Sequence, residues 1–221
     1  MGTDQVEGVY TDRWMRRTYT EAFRRLGIPV QFVVYPLQRL STMVEQGSID
    51  GEMLRASGYA AAHPKLIRVD ESVFDVGFAL FVANPAHNLK RLDELPSTTM
   101  NGIYRRGILF CENALKPLLP VERLADITDT SQGLRMLLAS RADFHCDIDA
   151  AVLNSLYSNE FKGVTTIRKM LELGTAMPLY PYLHPRRAEL APRLAATLKQ
   201  MKTEGLVERY RLEALRELGR Q

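Results

Sequence analysis

The chain has 221 residues, 46% hydrophobic and 25% charged, which excludes a disordered polymer and supplies enough length for a core without metals or disulfides. Lys and Arg number 29 against 26 Asp and Glu, a mild and dispersed excess that gives nucleic-acid binding no support. No run of about 18 apolar residues occurs, so direct membrane insertion is not expected, and Met1-Gly2-Thr3-Asp4-Gln5 lacks the charged start and apolar stretch of a signal peptide.

Residues 13–26 place Met15, Tyr19, Ala22, Phe23 and Leu26 on one helical face, and Gly27 and Pro29 stop the helix. Residues 30–35 (VQFVVY) read as a strand, ended by Pro36. Leu37, Leu40 and Val44 mark a second helix closed by Gly47, and a short strand follows over residues 49–54. This strand–helix–strand unit predicts a parallel pair with a crossover helix. Residues 73–83 form a long apolar strand, broken by Asn84-Pro85. A connector with one helical turn covers residues 89–96; a brief strand (101–104), a turn and a helix (108–116) come next. The following helix, over residues 131–140, has Thr130 as its expected N-cap. Residues 142–148 then read as a strand, 149–157 as a helix and 164–171 as a strand. Residues 177–183 are extended, with Pro178 and Pro181 confining them to a sheet edge. Two helices, 186–203 and 206–218, close the chain around Gly205. Alternating strands and helices give an α/β fold class.

The chain contains no glycine-rich phosphate loop and no G-x-S-x-G elbow, and none of His63, His87, His145 and His184 has metal-ligand spacing. No cofactor, metal or catalytic residue is therefore expected. His145-Cys146 is the nearest approach to a reactive pair, but neighbours on a strand point to opposite faces. Cys111 and Cys146 permit at most one bridge; two buried thiols are the favoured reading, because sequence does not supply the geometric test.

At residues 33–55, VVYPLQRLSTMVEQGSIDGEMLR, the chain resembles the type II periplasmic solute-binding proteins, in the group of amino-acid-binding components of ABC importers (bacterial extracellular solute-binding family 3-like). The segments LIRVDES (66–72), LDEL (92–95) with YRRG (104–107), GLRMLLASRAD (133–143) and PRLAATLKQMKTEGLVERY (192–210) match in the same order. The resemblance implies a two-lobed fold, with two α/β sandwich lobes joined by two hinge strands and a ligand cleft between them. Lobe 1 would be residues 1–82 plus 177–221, lobe 2 residues 87–172, and the hinges would lie near 81–86 and 172–176. Family members begin with a further strand that lines the pocket. Here only Val6-Glu7-Gly8-Val9-Tyr10 stands before the first helix, so that strand is short, divergent or missing.

Ligands in open α/β sheets sit at the carboxyl ends of strands, which selects the candidate binding residues. Arg55 is placed either to clamp a carboxylate bidentately or to pair with Asp50, Glu52 or Asp70. Arg39 holds a family position on a helix that otherwise reads as solvated. In Tyr104-Arg105-Arg106-Gly107, one arginine is expected to serve as an anion donor beside a close backbone approach, the other being solvated. Thr130 is either a hydroxyl donor or a helix cap. Asp147, in preference to Asp149, is the expected partner for a ligand cation. Tyr59 and Tyr180 are candidate aromatic walls, whereas Trp14 and Tyr19 read as core.

The expected function is non-catalytic binding of a small polar solute, amino-acid-like or a small organic acid, by a monomer in the periplasm or outside the cell, with an ABC permease as partner. The alternatives are a ligand-sensing domain of a signalling protein, or a cleft enzyme (dehydratase or lyase) with Glu52 as its acid or base.

Overall fold

The computed structural model describes residues 1–5 and 7–218; Val6 lies outside them. In chain order the elements are β1 (Gly2–Thr3), α1 (Tyr10–Arg25), β2 (Val33–Val34), α2 (Leu37–Glu45), β3 (Gly51–Ala56), α3 (Tyr59–Ala62), β4 (Ile67–Arg68), β5 (Phe74–Val82), β6 (Gly102–Arg105), α4 (Leu109–Leu115), β7 (Leu124–Ile127), α5 (Thr130–Leu138), β8 (Phe144–Ile148), α6 (Asp149–Leu156), β9 (Arg168–Leu183), α7 (Leu190–Thr203) and α8 (Leu206–Leu218). The fold is mixed α/β, and the chain divides into two compact units, Met1–Asp75 with Met177–Gln221 and Val76–Ala176. Strands β5 and β9 each run from one unit into the other.

In the first unit β1 lies between β2 and β3, parallel to both, so the expected parallel pair is parallel but not adjacent. The initial strand exists and is short: it occupies Gly2 and Thr3, before the segment in which it was sought. The C-terminal part of β9 runs antiparallel between β3 and β4, so residues 177–183 are not a sheet edge. Proline is accommodated there by a bulge. Met53 and Leu54 of β3 stand against the single Pro181, between the pairs Glu52–Tyr182 and Arg55–Tyr180. Pro181 has no N–H to offer, so the irregularity falls where the ladder has no donor. Helix α8 packs along α1. The Trp14 indole donates to the Val207 carbonyl (3.1 Å) and the Tyr19 hydroxyl to the Met53 carbonyl (2.9 Å), so both aromatic residues are core with satisfied polar tips.

The second unit orders its strands β9-β5-β8-β6-β7. β5 pairs antiparallel with β8, while β6 runs parallel to β8 and β7. Phe78, Leu80 and Val82 of β5 join one apolar cluster, and Ala79 and Phe81 join another. Alternate side chains of a strand point to opposite faces, so an unbroken apolar run is the signature of a strand covered on both sides. The strands expected at 164–171 and 177–183 are one strand of 16 residues. Gly174 within it has φ 65°, a left-handed conformation that glycine adopts without a Cβ penalty. Cys111 of α4 and Cys146 of β8 form a disulfide, with Cα atoms 5.9 Å apart, which corrects the expectation of two thiols. The cap of α5 is also corrected: the Asp129 side chain accepts from the Gln132 N–H (2.8 Å), and Thr130 is the first helical residue.

On the surface of α1, the Glu21 carboxylate accepts from Arg24 (2.6 and 2.9 Å) and Arg25 (2.8 Å). These hydrogen bonds pull its pKa down to about 2. A depressed folded-state pKa gives stability above the unfolded value, lost as pH falls through the folded one. NMR titration of Glu21 is expected to show a midpoint near 2; a midpoint near 4.5, its ordinary value, would mean that the arginine contacts do not form.

Candidate functional site

Strand β8 reads Phe-His-Cys-Asp-Ile, and its alternation decides the site. Cys146 faces α4 and its disulfide, whereas His145 and Asp147 share the other face. There the Asp147 carboxylate is fully buried. The Arg105 Nε–H, from the end of the neighbouring strand β6, donates to both of its oxygens (2.9 and 3.1 Å). The Thr130 hydroxyl at the start of α5 donates to Oδ2 (2.6 Å), and the Ile148 N–H donates to Oδ1 (2.7 Å). His145 Nε2 lies 3.2 Å from Oδ2, its ring packed over Gly133 of α5. Burial pushes the Asp147 carboxyl up, but the His145, Arg105 and Thr130 interactions outweigh it and hold its pKa below the ordinary value. Asp147 is thus saturated from within the protein.

Arg105 differs. Its side chain is 26% exposed, and among the described residues only its Nε–H is hydrogen-bonded. The two terminal amino groups remain available, on a guanidinium whose orientation Asp147 fixes. That arrangement can take a planar anion in two parallel hydrogen bonds.

A second cluster occupies the first unit. Arg55 Nη2 donates to the Leu37 carbonyl (2.9 Å) and the Ser41 hydroxyl (3.3 Å), and it pairs with Glu52. The Tyr59 hydroxyl donates to Glu52 Oε1 (2.7 Å) and lies 2.7 Å from Ser41 Oγ. Glu52 is 1% exposed and Arg55 8% exposed, and the guanidinium lies over the Tyr59 ring at 4.8 Å. Burial, with the Glu52 hydrogen bond, pushes the Tyr59 pKa up to about 12. Of the two readings of Arg55, the ion pair with Glu52 is the one formed.

The structure therefore brings Arg105, Thr130 and Asp147 together, and separately Arg55 and Tyr59. Tyr180 stands opposite Arg55 in the ladder, under the Arg68 guanidinium at 4.9 Å. Arg39 is exposed and stacks on Tyr35 (4.4 Å). Tyr104 is buried in the apolar cluster around the disulfide. Arg106 is exposed and pairs with Asp126. Gly107 makes the turn after β6 at φ 86°. Sequence reasoning missed His145 and Ser41 as members of these clusters, whereas Glu52 was one of the three partners it offered for Arg55. The signal for His145 was its i, i+2 spacing from Asp147, which puts both side chains on one face of a strand.

No family model matches the chain. An uncharacterized protein of Shewanella oneidensis is 33% identical over 204 residues, covering 91% of this chain and 76% of that protein. The unliganded open L-cystine solute receptor of Neisseria gonorrhoeae superposes with a TM-score of 0.73 at 14% identity, over 89% of this chain and 80% of that one. A histidine kinase sensor domain with similarity to periplasmic binding proteins gives 0.63 at 16%, over 91% and 85%.

Proposed function

We propose that this chain, which belongs to the same family as the Shewanella oneidensis protein and has the type II periplasmic solute-binding fold, binds a small carboxylate-bearing solute without transforming it. The observation that carries this reading is Arg105, held by buried Asp147 with its terminal amino groups free. Arg105 is the anion donor of the proposal, and Asp147 and Thr130 position it; a saturated carboxylate is not the partner of a ligand ammonium. Tyr59, Arg55 and Tyr180 belong to the first unit and are assigned no contact with the solute. The ion pair with Arg55 and the Tyr59 hydrogen bond give Glu52 a structural role, which supports binding over the alternative in which Glu52 is an acid or base. No helix among the described residues is long and apolar enough to cross a membrane. The Cys111–Cys146 disulfide favours residence in the periplasm or outside the cell, with delivery to an ABC permease.

The test is a thermal-shift panel of amino acids, small carboxylates, polyamines and sugars. A carboxylate at 100 times its dissociation constant is expected to stabilise by about 2.7 kcal/mol and to be recovered chemically unchanged by mass spectrometry. A response to polyamines or sugars alone would remove the reading; conversion of the ligand would replace it with catalysis.

The sensor-domain neighbour supports a second reading, in which the same binding biases an attached signalling module. Peptide mapping of the protein isolated from the source cells separates the two: this reading expects peptides of a signalling module on the same polypeptide.

A further inference from the structure

The first unit holds a cavity of about 720 Å³ that the proposed solute site does not use, a volume within the range of small-molecule pockets. It lies where the parallel strands begin. Its walls include Val30 and Val33 at the entry to β2, Ser48 and Asp50 before β3, and Leu183 at the end of antiparallel β9. Arg55 and Tyr59 stand at the other end of β3, about 16 Å away for a strand rising roughly 3.3 Å per residue.

The lining combines apolar and basic side chains. Phe23, Ile28, Ile49, Leu183 and Leu190 line it with hydrocarbon. Arg186, Arg187 and Arg193 line it with guanidinium. The Nε–H groups of Arg186 and Arg187 converge on one oxygen of Asp50 (3.0 and 2.9 Å), so that carboxylate is already engaged. Among the described residues, the side chains of Arg193 and the nearby Glu189 have no hydrogen bond or ion pair, the Arg193 carbonyl accepting from the Thr197 hydroxyl (2.9 Å). Three guanidiniums and the Met1 ammonium therefore meet two carboxylates beside apolar side chains, an excess of positive charge. A neutral apolar ligand would gain nothing from the Arg193 guanidinium, and a small inorganic anion would leave the apolar side chains uncovered.

We infer that this cavity is a second binding site, for a monoanion on an apolar body, an alkyl or aryl carboxylate. Its head group sits among Arg187, Arg193 and Arg186, and its body lies on Phe23, Ile49 and Leu190.

The test is an NMR titration of the isotope-labelled protein with octanoate, and with octanol as its neutral twin. Octanoate is expected to shift the amides of residues 30–33, 48–50 and 186–193 saturably. Octanol is expected to bind about tenfold more weakly, and Arg193→Ala to weaken octanoate about tenfold while leaving octanol unaffected. Arg193 is exposed, so its removal does not threaten the fold. Absence of saturable shifts in these segments, equal binding of octanol, or shifts confined to residues 104–107 and 145–148 would each overturn the assignment. The last of these would place the anion at Arg105 and leave the proposed function standing.

Discussion

Asp147→Ala will lower the unfolding free energy by about 3 kcal/mol and the melting temperature by roughly 6–12 °C. The substitution removes the acceptor for Arg105 and Thr130 and leaves a void beside His145. Breaking a buried charged pair costs about 3–5 kcal/mol when the orphaned charge stays dry. Arg105 is 26% exposed and gains some water, so the lower end applies. The effect has a pH signature. The folded carboxyl titrates below its unfolded value near 3.8, so its contribution is complete above that value and disappears as pH falls through the lower folded one. Chemical denaturation at pH 7 and in increasingly acid buffer checks both statements. A loss below about 1 kcal/mol at pH 7 would mean that the network is solvated rather than buried.

Removing the disulfide, with Cys111→Ala and Cys146→Ala together, is expected to cost about 4 kcal/mol. The bond closes a loop with a sequence separation of 35, and the chain-entropy relation gives that magnitude for a loop of this length. Both cysteines are buried in the larger apolar cluster of the second unit, so their loss also removes packing from that cluster. Denaturation of the oxidised protein, the reduced protein and the double variant separates the two contributions. Equal stability of all three would show that the cross-link does not constrain the unfolded chain.

Much of the fold was legible because glycine and proline punctuate it. Gly47, Pro36, Asn84-Pro85 and Gly205 stand at the ends of helices and strands, and the apolar run of β5 has no competing helical reading. The initial strand was not legible, since two residues, one of them glycine, carry no period. Nor was the inner position of the last strand, because a bulge opposite Pro181 takes up the missing donor, and a bulge depends on its partner strand.

The candidate residues divide on similar grounds. Arg105, Thr130 and Asp147 were found because strand ends and helix starts meet at one end of an α/β sheet. Their roles were not, since which charge is saturated and which stays open depends on burial: Asp147 is fully buried and Arg105 is not. Arg55 and Glu52, three apart on a strand, would point to opposite faces in regular geometry; the bulge between them lets them pair. The disulfide joins a helix to a strand from separate segments, a distance that sequence does not encode.

The central claim is that Arg105 holds a ligand carboxylate. The direct measurement is calorimetric binding of the best carboxylate from the thermal panel to the parent protein and to Arg105→Ala, both confirmed folded by circular dichroism. Loss of a charged hydrogen-bonded contact of this kind costs about 2–5 kcal/mol, so the account predicts an affinity at least about 30-fold weaker for Arg105→Ala. Undiminished affinity in the folded variant would contradict it.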